Sequence, residues 1–226
     1  MIELIAFDAD DTLWHNERLF YATESQFTEM LAAYHSADWV RQRLLATEVK
    51  NLGHFGYGIK GFILSMIETA IELTEERIGG VEIQRIINWG HEMLRAPVDL
   101  LDGVRETIEM LAPDYKLMLL TKGDLFDQES KLARSGLGDH FDAVEVVSEK
   151  DAKTYAAIMR RHGITPSHFL MVGNSVKSDI LPVLEAGGAA VHIPYEMTWA
   201  HEHVESPQGE FTRLERITEL PAWLRR

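Results

Sequence analysis

Apolar positions along the chain follow two regimes. Residues Ile2 to Phe7 form a short, nearly unbroken apolar run that stops at an acidic cluster, as a strand buried on both faces of a parallel sheet does. From about Asn16 to Arg95 the period becomes helical. FYATESQFTEMLAAY, DWVRQRLLATEVKNL, FILSMIETAIEL and VEIQRIINWGHEMLR each repeat apolar residues at helical spacing, and almost nothing between them reads as strand. After Pro97 the two periods alternate. Helix-like GVRETIEMLA, LFDQESKLARSG, AKTYAAIMRRHG and DILPVLEAG are followed in turn by strand-like KLMLLT, FDAVEVV, HFLMVG and AAVHIP. The C-terminal RITELPAWLRR reads as a helix that closes the core.

Alternation of helix and strand with short connections predicts an α/β fold, a Rossmann-like doubly wound parallel sheet covered on both faces. The first strand belongs to that sheet, so the helical block is an insertion. The expected organisation is a catalytic core from residues 1–14 and 98–226 and an inserted α-helical cap domain from residues 15–97.

Composition narrows the partners. Asp and Glu outnumber Lys and Arg 36 to 22, a formal net charge of -14. Such a surface repels nucleic-acid backbones and anionic membranes, so neither is expected as a partner. Any phosphate site must create its own local positive field. There is no cysteine, which excludes disulfides and thiolate-bound metals and fits a reducing compartment. The opening MIELIAFDADDTLW is too short and too acidic for a signal peptide or a membrane span, and a cytoplasmic protein is expected, as monomer or homodimer.

Ligands of open parallel sheets bind at the carboxyl ends of the strands. The polar residues found there are Asp8, Asp10 and Thr12 after the first strand, and Thr121, Lys122 and Gly123 after the second. Ser148, Glu149 and Lys150 follow the third, and Asn174, Ser175 and Asp179 the fourth. Carboxylates, hydroxyls, lysine and carboxamide on one edge suit a hard cation and a phosphate.

Asp8-Ala9-Asp10-Asp11-Thr12 resembles the DxDxT motif of the haloacid dehalogenase-like hydrolase superfamily. Thr121 stands where that family closes its second strand with Thr or Ser. Lys150 or Lys153 fits the family's lysine, and the strand-end position favours Lys150. Gly173-Asn174-Ser175-Val176-Lys177-Ser178-Asp179 resembles the acidic GDxxxD motif, with Asn174 where the family usually has Asp. These motifs occur in the family's order. Alone, Asp8 and Asp10 read equally well as a helix-capping cluster; a turn hydroxyl for Thr121 and a helix N-cap for Asp179 are the lesser readings of those two, and Asp179 can do both jobs.

The resemblance implies a phosphatase that hydrolyses a small phosphorylated metabolite. The residues agree with it. A carboxylate attacks phosphorus to give an acyl phosphate, which water then cleaves. Asp8 ends the strand and is rigidly held; Asp10, two residues on, points differently and can carry a proton. Asp8, Asp10, Thr121 and Lys150 are the expected catalytic residues, and Thr12, Thr121, Lys122, Gly123 and Lys150 the expected phosphate ligands. Like charges in contact repel by about 4 kcal/mol at an effective dielectric of about 20, so the site calls for a divalent cation as well as a lysine. The resemblance makes that cation Mg2+, held by Asp8, Asp10 through its backbone carbonyl and Asn174, with Asp179 a further ligand or a holder of ligand waters. Asn174 brings no charge, which predicts weaker Mg2+ binding than an Asp there would give.

Other readings stay open on the same residues. A phosphosugar mutase would share every core residue. A 2-haloacid dehalogenase would not need Asp10. A phosphonate hydrolase would need a cap lysine such as Lys50 or Lys60, and a binding protein without turnover would find support only in Asn174. Gly56-Tyr57-Gly58-Ile59-Lys60-Gly61 is a literal GxGxxG, but it follows a helix and so reads as a turn, or as a loop whose Tyr57 and Lys60 reach substrate. His201 and His203 read as a solvated loop. Trp14, His15 and Asn16 shape the entrance to the site, or Trp14 packs beneath the cap.

Overall fold

The computed structural model describes residues 2–197, 199–202 and 211–225. The chain divides into two compact units. The first comprises Met1–Glu17, Val98–Lys122 and Gln128–Arg226; the second comprises Arg18–Pro97 and Gly123–Asp127.

The first unit is built on a six-stranded sheet: β1 (Leu4–Phe7), β2 (Lys116–Lys122), β3 (Ala143–Val147), β4 (Phe169–Gly173), β5 (Ala189–His192) and the two-residue β6 (Thr212–Arg213). The spatial order is β3-β2-β1-β4-β5-β6, and every pairing is parallel. β1 therefore lies between β2 and β4, where the connections switch direction along the sheet, and such a switch leaves a crevice at the strands' carboxyl ends.

The strands obey the period of two. Ile5 and Phe7, Leu117 and Leu119, and Leu170 and Val172 fill one core layer. Leu4 and Ala6, Met118 and Leu120, and Phe169 and Met171 fill the other. Burial on both faces explains why these runs are almost wholly apolar. The C-terminal segment is a short 3-10 turn and a one-turn helix; its Ile217 and Leu220 pack into the first layer.

The second unit holds α1 (Glu17–Met30, whose first residue belongs to the first unit), α2 (Ala37–Phe55), α3 (Ile59–Leu73) and α4 (Gly80–Arg95). Phe27, Leu44, Met66, Ile86 and Trp89 form its own core. The Ser36 hydroxyl caps α2 by accepting from the Trp39 amide. The GxGxxG segment is the turn between α2 and α3. Gly56 and Gly58 have φ of 70° and 104°, and a Cβ on Gly61 would come within 2.8 Å of the Gly56 carbonyl oxygen, so the turn itself accounts for all three glycines. Lys60 is bonded to Asp124 at 2.9 Å and Lys50 is paired with Glu68, both at exposed positions. Neither lysine is desolvated, as an imine-forming amine would be.

The remaining helices are α5 (Val104–Leu111), α6 (Leu125–Ser135), α7 (Ala152–Arg161), α8 (Leu181–Glu185) and α9 (Leu220–Leu224). Between β4 and α8 the chain makes one wide π turn, Val176–Ile180.

Candidate active site

Asp8 is the first residue beyond β1, and its amide still donates to the Val172 carbonyl of β4 at 2.9 Å. The residue is buried, at 8% exposure. Oδ1 accepts from the Lys150 ammonium at 2.5 Å and Oδ2 from the Thr12 hydroxyl at 3.2 Å. Lys150 also donates to Asp179 Oδ1 at 2.7 Å. Lys150, not Lys153, is thus the lysine joined to the two carboxylates; Lys153 is exposed on α7.

The cluster has two buried carboxylates and one buried ammonium, and the imbalance shows in its proton affinities. Burial, reinforced by Asp179, pushes Asp8 up from 3.8 to about 7, although Lys150 opposes the shift. Burial alone would lower Lys150, but Asp179 and Asp8 outweigh it and hold the ammonium above its usual range. Tyr155 is pushed well up by burial and by the same two carboxylates, so it stays a phenol and donates to the Ser178 carbonyl at 2.9 Å.

Asp179 rides on the π turn. Ser175 caps that turn by accepting from the Ser178 amide at 3.1 Å, and Asp179 Oδ2 accepts from the Ser175 amide at 2.9 Å. π turns inside helical segments recur at functional sites. Thr12 sits beneath this loop at 2% exposure. Its oxygen accepts from the Asn174 amide at 3.1 Å and lies 3.2 Å from both Asp8 Oδ2 and Asn174 Oδ1. Thr12 therefore stitches the ends of β1 and β4 together. The Asn174 carbonyl in turn lies 3.0 Å from His192 Nε2, on β5.

Asp10 lies in a neighbouring cluster. Trp14 Nε1 and Lys131 Nζ approach its Oδ1 at 2.8 and 3.1 Å, and Gln128 Nε2 donates to its Oδ2 at 2.8 Å. The Gln128 amide oxygen is buried without a partner among the described residues, which costs about 1–3 kcal/mol in general. Asp11 stands at φ 61° and accepts from the amides of Asn16 and Glu17, which cap α1. Burial raises it to about 7 against the pull of those two amides. The capping that Asp8 and Asp10 could have performed thus falls to Asp11. Trp14 is 1% exposed in the core layer of Leu13 and Val104. Asn16 accepts from Lys131 at 2.9 Å, and His15 pairs with the Tyr195 hydroxyl at 2.7 Å.

Other expected residues lie differently. The buried Thr121 hydroxyl bonds its neighbour, the Lys122 carbonyl, at 3.1 Å. Lys122 donates to Glu202 Oε1 at 2.7 Å and to the Ser178 hydroxyl at 2.9 Å, so its charge is directed to an internal carboxylate. Gly123 belongs to the second unit. Glu202 also accepts from the hydroxyls of Ser175 and Ser178, both at 2.6 Å. Burial would raise Glu202, but Lys122 and these bonds prevail and hold it at about 2. His201 lies against Lys177, and His203 lies outside the described residues.

Sequence reasoning passed over Gln128, Lys131 and Glu202. A signal existed for the first two: they share a helical face with the buried Leu132, an unusual place for polar side chains. Glu202 follows β5 in an aperiodic loop and gives no such sign.

The oxygens present suit a hard cation. Asp8 Oδ2 and Asn174 Oδ1 both converge on a hydroxyl that carries one proton, and the Asp8–Lys150–Asp179 cluster retains a net negative charge. Among the described residues, no group of three or more His, Asp or Glu side chains is arranged to hold a metal, so any cation must draw on carboxamide and backbone oxygens as well. No helix among those residues is long and apolar enough to cross a membrane.

Comparison with known proteins adds independent findings. Residues 2–187 match the family model described as haloacid dehalogenase-like hydrolase. A solved haloacid dehalogenase-like family hydrolase from Xanthomonas campestris is 44% identical, with a TM-score of 0.89 over 99% of this chain and 91% of that one. The glyceraldehyde 3-phosphate phosphatase of Methanothermobacter thermautotrophicus is 33% identical over 119 residues, 50% of this chain and 53% of that one. The N-acylneuraminate-9-phosphatase of Mus musculus is 26% identical over 168 residues, 68% of this chain and 64% of that one. The chain thus spans about half the length of the first of these curated relatives.

Proposed function

Because the chain belongs to the haloacid dehalogenase-like hydrolase family, we propose that it hydrolyses a small phosphate monoester through an aspartyl-phosphate formed on Asp8. The observation that carries this reading is the placement of Asp8. It is a buried carboxylate at the end of the central strand, held by Lys150 and Thr12, with the second carboxylate Asp10 two residues away. The two phosphatases it resembles point the same way.

In the first step an Asp8 oxygen attacks phosphorus and the bond from phosphorus to the ester oxygen breaks. The departing oxygen takes a proton from Asp10. In the second step water attacks the acyl phosphate, Asp10 takes the water's proton, and phosphate leaves with Asp8 restored. Lys150 keeps the carboxylate in place and offsets the charge of the phosphoryl oxygens.

Burial raises the Asp8 carboxyl and so favours its protonated form, which is a poor nucleophile. Asp8, Asn174 and the Asp10 backbone carbonyl would hold Mg2+, with Asp179 adding charge nearby. The ion would favour the ionised carboxylate and neutralise phosphoryl oxygens.

The test is a panel of small phosphorylated metabolites offered to wild type and Asp8→Asn, with and without Mg2+. Phosphate release that requires both Asp8 and Mg2+ is the expected result. Turnover that survives Asp8→Asn would refute the reading.

A further inference from the structure

The grip on Asp10 is more elaborate than packing requires. Two of its three donors, Gln128 and Lys131, lie one turn apart on α6. Both are polar yet nearly sealed, at 2% and 7% exposure. Each is also anchored by a second bond. Lys131 donates to Asn16 Oδ1 at 2.9 Å, and Gln128 donates to the Lys122 carbonyl at 3.2 Å. The direction of the Gln128 amide follows from chemistry. Turned around, its oxygen would face two acceptors, Asp10 Oδ2 and the Lys122 carbonyl, so the amide points its nitrogen at Asp10 and leaves its own oxygen unpaired. Apolar side chains would fill the same space without that orphaned atom.

We infer that Lys131 and Gln128 are positioning residues for Asp10. They fix the rotation of its carboxyl group so that its proton is delivered to the departing ester oxygen. The inference rests on the roles proposed above for Asp8 and Asp10. Without the two α6 side chains, Asp8 still attacks phosphorus, and a leaving group that needs no proton still departs. A leaving group that does need one is stranded. General acid catalysis contributes about a hundredfold or more where it operates, so the selectivity effect is large enough to read.

The experiment compares kcat/KM for benzyl phosphate and 4-nitrophenyl phosphate, in the presence of Mg2+, in wild type, Lys131→Met, Gln128→Leu and Asp8→Asn. Nitrophenolate departs without a proton, whereas the benzyl alkoxide requires one. The parameter kcat/KM covers only the steps through departure of the leaving group, so the later attack of water does not enter. The benzyl-to-nitrophenyl ratio is expected to fall about tenfold or more in both α6 variants. Gln128→Leu removes the amide without leaving a charge unpaired, and it decides the matter if Lys131→Met does not fold. An equal loss on both esters in a variant that unfolds cooperatively overturns the inference and leaves the proposed function standing. Wild-type turnover by Asp8→Asn, or no phosphate from either ester with wild type, overturns the proposed function and the inference with it.

Discussion

A Cβ built on Gly173 would lie 2.2 Å from Oδ2 of Asp179. The last residue of β4 must be glycine for the acidic side chain of the π turn to fold back against it. Gly173→Ala is therefore expected to push Asp179 off Lys150 and to cost roughly 1–3 kcal/mol or more as an overpacked site. The proposed phosphate-ester hydrolysis should slow with it. Denaturant unfolding and steady-state rates check both, and a variant of wild-type stability would show that the π turn yields more easily than its contacts suggest.

Lys150→Met would leave Asp8 and Asp179 facing each other without a cation. Breaking a buried pair in this way costs about 3–5 kcal/mol. Lys153→Met, at an exposed helical position, should stay within about 0.5 kcal/mol of wild type. Chemical denaturation of the two variants side by side distinguishes the lysines without any substrate.

Asp8 and Asp11 are both raised from 3.8 to about 7, and the sign of the consequence is fixed. Between these values the folded chain keeps protons that the unfolded chain has lost, so their contribution is fully present below about pH 4 and is lost as pH rises through 7. In chelator-treated buffer, Asp8→Asn should therefore raise the melting temperature at about pH 8 and change little at about pH 4. Added Mg2+ should stabilise wild type more on the alkaline side. A stabilisation by Asp8→Asn that is greater in acid would contradict the raised value.

Glu202 works in the opposite sense. It is lowered from 4.5 to about 2, so its contribution is present above 4.5 and is lost as pH falls through 2. Glu202→Gln strips Lys122 of its internal partner and should cost about 2–3 kcal/mol near neutrality. The gap from wild type should narrow as the solution is acidified below about pH 4.5, and a gap independent of pH would mean that packing, not charge, is what was lost.

Asn174→Asp adds a charge beside Asp8 Oδ2 and is expected to lower the Mg2+ concentration for half-maximal activity by about tenfold. The same substitution should reduce stability when Mg2+ is absent. A Mg2+ titration of the rate that is unchanged or weaker would remove Asn174 from the set of ligands.

The sequence was most legible where burial and topology act together. Short, nearly unbroken apolar runs marked β1, β2 and β4 because a parallel sheet leaves its inner strands no solvated face. The residues just beyond β1, β3 and β4 include Asp8, Thr12, Lys150, Asn174 and Asp179, which the structure joins in one hydrogen-bonded cluster. β6 has two residues, too few to set a period. Gln128 and Lys131 passed unnoticed in a helix-like segment, because only their shared face with Leu132 set them apart from ordinary polar helix positions. Lys122 was expected to face phosphate, but its partner Glu202 lies eighty residues away in a loop without a pattern, and only the folded chain brings the two together.

The central place of β1 sets the order in which the fold can be completed. Leu4–Phe7 precedes both of its neighbours along the chain, residues 116–119 on one side and 169–172 on the other. Contacts so distant along the chain close slowly. During translation this apolar strand must wait without its two neighbours until residues 116–119 and then 169–172 have been made, exposed to chaperones and to aggregation. The Asp8 amide finds its acceptor, the Val172 carbonyl, only when β4 docks, so a ribosome-bound fragment that stops short of residue 169 should carry β1 without its full burial.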